Sequence, residues 1–206
     1  MKTVSSHGQY LQISDCYQIP SYLRDVLDDA WQNSYEELYE ESRNQKKSLE
    51  ETFINILNAF DQNNLENLHY RYLFMAIIMA QAVEPTIKAY FPDDTRPEKV
   101  YQYVDEFLNN KTILSNLEIT KIINQLFPCH SEGCQAIDEA LNVFKNLLRV
   151  IDFEQAKEAL LNILDDCLEG YAIFPGSQGK RDLFNWWLLE VVPATWCLKF
   201  PKTLYT

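Results

Sequence analysis

The sequence predicts an all-α protein, a helical bundle of about seven or eight helices around a central apolar helix at residues 65–90. Glycine, which tight hairpin turns usually require, occurs only five times, and three of these lie between Gly170 and Gly179. Apolar residues recur every three or four positions, as in amphipathic helices, and alternating strand-like runs are nearly absent. A chain of 206 residues can form one core, so residues 1–206 are predicted to be a single domain.

The first two helices are predicted to be amphipathic. Ser21 is a suitable N-cap for a helix over residues 21–43. Ser48 and Glu51 have the spacing of a capping box, which predicts a second helix that ends near Phe60.

The third helix, residues 65–90, differs because the stretch LFMAIIMA at residues 73–80 is apolar on every side of the helix axis. It is therefore predicted to lie at the centre of the core. Pro85 removes one backbone donor and is expected to kink or interrupt this helix.

The second half of the chain has the same periodicity and is predicted to form antiparallel helices joined by short links. Asp152 is a suitable N-cap between two of them. The last helix is rich in aromatic residues and is expected to be interrupted at Pro193. The predicted helices cover residues 96–109, 117–127, 134–151, 153–172 and 182–198.

The net charge of −12 and the pI near 4.7 limit the classes of partner. Such a chain would repel nucleic acids and anionic lipid, whose binding requires clustered Lys and Arg. The acidic surface fits either a solubilising role or contact with a basic protein.

No membrane span or signal peptide is expected. The longest apolar run, residues 73–80, is far shorter than the ~20 residues of a membrane span. The amino-terminal sequence MKTVSSHGQY lacks the apolar segment of a signal peptide, which favours a cytoplasmic location. The five cysteines are an odd number spread along the chain, which favours reduced thiols.

Two groups of potential metal ligands are incomplete. Cys129, His130 and Cys134 lie close together, but a structural zinc site needs four ligands, so an ordinary loop between helices is favoured. Glu66 and His69 have the spacing of half a di-iron site, but the chain has no second half. His69 is therefore predicted to be a hydrogen-bonded packing residue, and no metal or other cofactor is expected.

Asp165, Asp166 and Glu169 form an acid-rich stretch on one predicted helix. Isoprenoid enzymes use such stretches to hold magnesium and diphosphate, but no second acid-rich segment can be assigned here. A solvated helix end is the preferred interpretation.

The loop FPGSQGKR resembles part of a phosphate-binding loop. Gly176 and Gly179 are too close for a Walker motif, and Arg181 stands where a Ser or Thr is required. An anion held by Lys180 and Arg181 at the helix start is the functional interpretation, and a flexible turn is the preferred one.

Trp186 and Trp187 are adjacent on the last predicted helix. Neighbouring side chains on a helix point about 100° apart, so one of the two is expected to be partly exposed. Core packing is the preferred interpretation, and a partner surface is the alternative, because Trp is common among interface anchors.

The segment FPDDTRPEKV, residues 91–100, is predicted to be a corner between two helices. Thr95 and Glu98 have the spacing of a capping box, and the proline between them falls in a first helical turn, where no backbone donor is needed. Capping does not require Arg96, which is expected to tie the corner to the core helix through an ion pair. Its candidate partners are Asp93, Asp94 and Glu84.

The stretch MAQAVEPTIKAYFPDDTRPEKVYQYVDEFL, residues 79–108, resembles a segment of a helical family of predicted immunity proteins from bacterial polymorphic-toxin systems. In that family a helix ends at a Pro-acid-Asp-x-Arg-Pro corner and another begins. The residues that carry the resemblance are Pro92, Asp93, Asp94, Arg96 and Pro97. The resemblance implies a bacterial protein that inhibits a toxin by stoichiometric binding, without catalytic residues.

Two functions follow from these observations. In the first, the protein is not an enzyme and binds another protein, and a homo-oligomer is also compatible with the sequence. The expected contact residues are Asp93, Asp94, Arg96, Trp186 and Trp187. In the second, it is an enzyme or small-molecule-binding protein with a pocket between the central helix and the C-terminal aromatic helix. The first is preferred because no catalytic motif is complete.

Overall fold

The computed structural model describes residues 13–14, 16–38, 47–61, 67–110, 114–128, 133–171 and 179–204. These residues form helices and no strands, which confirms the predicted all-α class. The α-helices are α1 (Ser21–Gln32), α2 (Leu49–Asp61), α3 (Leu68–Tyr90), α4 (Arg96–Asn110), α5 (Asn116–Leu126), α6 (Gln135–Val150), α7 (Phe153–Tyr171), α8 (Lys180–Trp186) and α9 (Val192–Trp196). A 3₁₀ turn at Glu36–Leu38 follows α1, and a π-helical segment at Trp187–Val191 joins α8 to α9. Within this part of the chain, no helix has an apolar stretch that could cross a bilayer.

Helix α3 lies at the centre of the bundle. It packs against α6, α7 and α9, and its buried residues face every direction around its axis. Leu73, Met75 and Ile78 have no exposed surface. This confirms the predicted central apolar helix. The buried apolar residues form one cluster, which extends in sequence from Ile13 to Ala194.

Pro85 does not interrupt α3, and the kink expected as the other outcome stays a prediction. The helix runs over 23 residues with Pro85 inside it. The proline lies on an exposed side of the helix, while Val83, Thr86 and Ile87 beside it are buried. Burial of these neighbours outweighs the loss of one backbone donor.

Helices α6 and α7 make the most extensive helix–helix contact in the described residues, and only Ile151 and Asp152 separate them in sequence. Asp152 Oδ1 accepts the backbone N–H of Glu154 at 3.1 Å, as expected of an N-cap. Towards the end of α7, a Cβ atom added to Gly170 would lie 2.7 Å from Cβ of Glu139 on α6. The two helices can approach this closely because residue 170 has no side chain.

Capping boxes begin α2 and α5. At α2, the backbone N–H of Glu51 donates to Ser48 Oγ at 3.1 Å and the backbone N–H of Ser48 donates to Glu51 Oε2 at 3.3 Å, which confirms the prediction. The same reciprocal pair joins Ser115 and Glu118 at α5. The sequence pattern S-x-x-E identifies this second box equally well, and we had not assigned it.

Helix α1 ends well before residue 43, so its predicted length is wrong. The chain becomes extended at Asn33, where ψ is 151°. Arg181 donates to the backbone oxygens of Trp31 at 3.0 Å and Asn33 at 3.1 Å, and so supplies donors at the helix end. At the other end, Pro20 occupies the N-cap position that was predicted for Ser21.

The C-terminal helical stretch also differs from the prediction, because Pro193 does not interrupt it. A wider π-helical turn precedes the proline, and the backbone N–H of Val192 bonds to the Trp187 oxygen five residues earlier. Pro193 then falls in the first turn of α9. A proline needs no donor at that position, so the helical path continues.

The first and last described segments lie side by side. The backbone N–H of Lys202 donates to the hydroxyl of Tyr17 at 3.2 Å, and its Nζ donates to Ser14 Oγ at 2.7 Å. The Tyr17 hydroxyl donates to Glu190 at 3.2 Å. Burial, followed by the charge of Glu190, raises the pKa of Tyr17 to about 12, so the phenol stays protonated at neutral pH.

Candidate functional site

The predicted corner lies between the end of α3 and the start of α4, and Asp94 holds it together. Asp94 Oδ1 accepts the backbone N–H of Arg96 at 2.9 Å, and its Oδ2 accepts Nε of the same arginine at 2.7 Å. Burial alone would raise the pKa of Asp94, but the hydrogen bonds from Arg96 lower it. The carboxylate is therefore charged at neutral pH, and its two hydrogen bonds fix its position.

Arg96 forms an ion pair with Asp94, which was one of its three candidate partners, and no ion pair from Arg96 to Glu84 of α3 is present among the described residues. Its guanidinium lies 5.9 Å from the ring centre of Phe127 at the end of α5. Lys88 of α3 connects α4 to α3, because its Nζ lies 2.8 Å from Glu98 of α4. The same Nζ lies 3.1 Å from Glu84 of α3. The capping box of Thr95 and Glu98 stays a prediction.

Beside these ion pairs lies a shallow hollow of about 390 Å³, which we call the corner hollow. Its lining residues are Tyr90, Phe91, Pro92, Asp93, Asp94 and Arg96. Tyr90 is 48% exposed, and Pro92 and Asp93 are also exposed. Three of the five predicted contact residues therefore lie together at one surface.

The other two predicted contact residues, Trp186 and Trp187, are buried, with exposed fractions of 8% and 1%. The expectation that one of them is exposed is wrong. The backbone oxygen of Thr203 accepts a hydrogen bond from Nε1 of Trp186 at 2.9 Å. Phe53 of α2 packs edge-to-face on Trp187, with ring centres 5.1 Å apart. Neither tryptophan offers a surface to a partner in this conformation.

Lys180 and Arg181 both bind other parts of the protein, which disfavours the anion site that was the alternative interpretation of this loop. The preferred interpretation, a flexible turn, falls on residues 172–178, which lie outside the described residues. Lys180 is 7% exposed, and its ammonium group is bound to the carboxylate of Glu169. The guanidinium of Arg181 donates to the end of α1 and to Asn185. Both cations therefore stabilise contacts between helices, and α8 is a helix of only seven residues.

Of the three acids expected at a solvated helix end, Asp165 is exposed as expected, whereas Asp166 is not. It is half-buried, and it shares a hydrogen bond with Glu139 of α6 and accepts Nδ2 of Asn146 at 3.2 Å. Burial, followed by the hydrogen bond and charge of Glu139, raises the pKa of Asp166 to about 8. Asp166 is thus protonated at neutral pH, at the contact between α6 and α7.

A cleft of about 390 Å³ opens between the 3₁₀ turn, α2, α7 and the start of α8. We call it the acidic cleft. Its lining residues are Glu37, Leu49, Glu50, Phe53, Leu161, Asn162, Asp165, Leu168, Glu169 and Lys180. Between α3 and the C-terminal aromatic helix, where the alternative function requires a pocket, the described residues line a hollow of about 10 Å³, in part with Met79 and Trp187.

Among the described residues, no group of three or more His, Cys, Asp or Glu side chains has the arrangement of a metal site. Cys129 and His130 lie outside these residues, and Cys134 is the N-cap residue of α6. His69 Nε2 lies 2.7 Å from the oxygen of Val150, and its ring packs between Phe107 and Phe153. This confirms its predicted packing role.

Arg71 is a buried cation that sequence reasoning missed, since its position in an apolar helix gave no signal of a partner. It is 6% exposed on α3, and its guanidinium carbon lies 3.7 Å from the ring centre of Trp196. Nε donates to the Trp196 oxygen at 3.1 Å, and Nη1 has no hydrogen-bond acceptor among the described residues. Stacking on Trp196 is therefore the main interaction of this charge.

No protein-family model matches this chain, and no curated protein or solved structure does. The geometry itself identifies two candidate sites, the corner hollow and the acidic cleft.

Proposed function

We propose that the protein binds another protein through the corner hollow and acts by occupying that partner. The supporting observation is that the backbone of the turn before α4 is held by hydrogen bonds, while residues of the same turn are exposed. The bonds between Asp94 and Arg96 hold the turn, while Pro92 and Asp93 face solvent. A preorganised surface loses little conformational freedom when it binds.

The chemistry of the rim favours a basic partner. Asp93 is an exposed carboxylate without an ion pair in the described residues, and it lies in the same hollow as the ring of Tyr90. A lysine or arginine of the partner can pair with the carboxylate and lie against the ring. The net charge of −12 would speed the encounter with such a protein.

The resemblance of residues 79–108 to bacterial immunity proteins suggests what the binding achieves, namely inhibition of a toxin in a stoichiometric complex. Pull-down experiments with the proteins encoded beside its gene test this role. We expect one neighbour to bind in a one-to-one complex and to be toxic when it is produced alone. If no neighbour binds and none is toxic alone, the immunity role is wrong.

A charge reversal tests the contact surface. Asp93→Arg is expected to weaken the complex by about tenfold or more, because it replaces attraction with repulsion at the rim. Asp105→Arg is the matched control, since Asp105 is exposed on α4 and does not line the corner hollow. Isothermal titration calorimetry measures both affinities. Equal weakening would mean that only net charge matters and that the corner is not the contact site.

A further inference from the structure

The acidic cleft is independent of the corner hollow, and its walls come from distant parts of the chain. Leu49, Glu50 and Phe53 of α2 form one wall, with Glu37 beside them, and residues 161–169 of α7 supply another. Its volume of about 390 Å³ lies within the range of small-molecule sites.

The charges in the cleft are unbalanced. Four carboxylates line it, and the only cation among its lining residues, Lys180, is already bound to Glu169. Glu37 accepts the backbone N–H of Leu49 at 3.2 Å, whereas Glu50 and Asp165 are exposed at the rim. Burial and then the charge of Glu169 raise the pKa of Asp165, which shows that negative charge is unfavourable here. A bound cation would relieve this repulsion.

The inner side of the cleft is apolar and adjoins a second, smaller space. Phe53 and Leu168 line both the cleft and the hollow of about 10 Å³ next to Trp187. Trp187 is 1% exposed, and its Nε1–H has no acceptor among the described residues. The ring of Phe53 packs edge-to-face against the indole at 5.1 Å. A buried donor without an acceptor is costly, so this group also indicates a missing partner.

We propose that the acidic cleft binds a small organic cation, in which an ammonium or guanidinium group is joined through an apolar chain to a hydrogen-bond acceptor. The cation lies between Glu50 and Asp165, the chain packs on Phe53 and Leu168, and the acceptor takes the hydrogen of Trp187 Nε1. These three parts match the three kinds of lining in the cleft and in the hollow beside it.

Titration calorimetry with aminohexanamide tests this assignment. This probe carries all three parts, hexanamide lacks the cation, and hexylamine lacks the carbonyl acceptor. Aminohexanamide is expected to bind, and each of the other two is expected to bind about tenfold more weakly or worse. No detectable binding of aminohexanamide, or equal binding of hexanamide, would overturn the proposal.

Variants of Glu50, Asp165 and Trp187 test where the probe binds. Glu50→Gln and Asp165→Asn are each expected to weaken binding by about tenfold, and both residues are exposed. Asp25→Asn, on the exposed face of α1 outside the cleft, is the matched control and is expected to leave the affinity unchanged. Trp187→Phe is expected to abolish the preference for aminohexanamide over hexylamine. Equal losses in the rim variants and in Asp25→Asn would show general charge attraction and would contradict the site.

Discussion

Asp94 and Asp93 are neighbours in sequence but have different roles in the structure. Asp94 bonds both the backbone and the side chain of Arg96, and hydrogen bonds from that residue lower its pKa against the effect of burial. Asp93 is exposed and does not take part in this arrangement. One acid therefore stabilises the corner, and the other is available for contact.

This difference predicts unequal effects on stability. Asp94→Ala is expected to lower the free energy of unfolding by about 1–3 kcal/mol, because it removes the acceptor of the Arg96 backbone N–H and a charged partner of the Arg96 guanidinium. Asp93→Ala should change it by less than about 0.5 kcal/mol. Urea denaturation measures both. Similar losses in the two variants would contradict the assigned roles.

Asp166 predicts a dependence of stability on pH. Its pKa is about 8 in the folded protein, whereas an aspartate in an unfolded chain has a pKa of about 3.9. Between these values the folded state binds more protons than the unfolded state, so stability falls as the pH rises through this window.

Asp166→Asn should remove most of this fall and raise the melting temperature by a few degrees near pH 8, because the amide resembles the protonated acid and can still bond Glu139 and Asn146. Thermal unfolding at several pH values tests this, with Asp25→Asn as the exposed control. A melting temperature of Asp166→Asn that follows the unsubstituted protein at every pH would contradict the raised pKa of Asp166.

Burial of individual side chains was the part of the site that sequence reasoning predicted least well. The helical period predicts in which directions Trp186 and Trp187 point from the helix. It does not predict that Thr203 contacts Trp186 or that Phe53 of α2 contacts Trp187, and these contacts bury the two side chains. The same limit applies to Lys180 and Arg181, because their partners lie on α7 and α1.

At the scale of helices, the close approach of α6 and α7 depends on Gly170. Gly170→Ala is expected to lower the free energy of unfolding by about 1–3 kcal/mol, since its Cβ would lie 2.7 Å from that of Glu139 and the helices would have to separate. Glu158→Ala, exposed on the same helix, should have an effect of less than about 0.5 kcal/mol. Chemical denaturation distinguishes the two. A gain in stability from Gly170→Ala would mean that helix propensity outweighs the packing constraint.

Most helices could be predicted because their signals are local. Apolar periodicity and the caps at Ser48 and Asp152 placed α2 and α7 to within a residue or two. The end of α1 could not be found in this way, because Arg181 contacts it from a distant part of the chain. Pro85 was expected to kink or interrupt its helix and Pro193 to interrupt the last one, yet both helical paths are continuous.

At the scale of the whole molecule, one buried cluster extends through the described helices. This predicts that the chain unfolds in a single transition, as expected for one domain. Far-ultraviolet circular dichroism reports on all helices, while fluorescence reports on four tryptophans. We expect their urea unfolding curves to coincide, and two separated midpoints would contradict the single-domain prediction.

The two candidate sites differed in how far the sequence could predict them. The corner hollow comes from one continuous segment, so its acids, arginine and prolines could be recognised together. The acidic cleft joins residues between 37 and 180, and only folding brings these together. Such a site has no pattern within any short stretch of sequence.

The contact of Tyr17 and Ser14 with Lys202 has a consequence for how the chain could be reconnected. A short linker from residue 204 to residue 13 would close the described chain into a ring without crossing the bundle. New ends could then be opened at an exposed connection between two other helices. The fold is therefore expected to tolerate circular permutation, because the packing of the helices does not depend on where the chain begins.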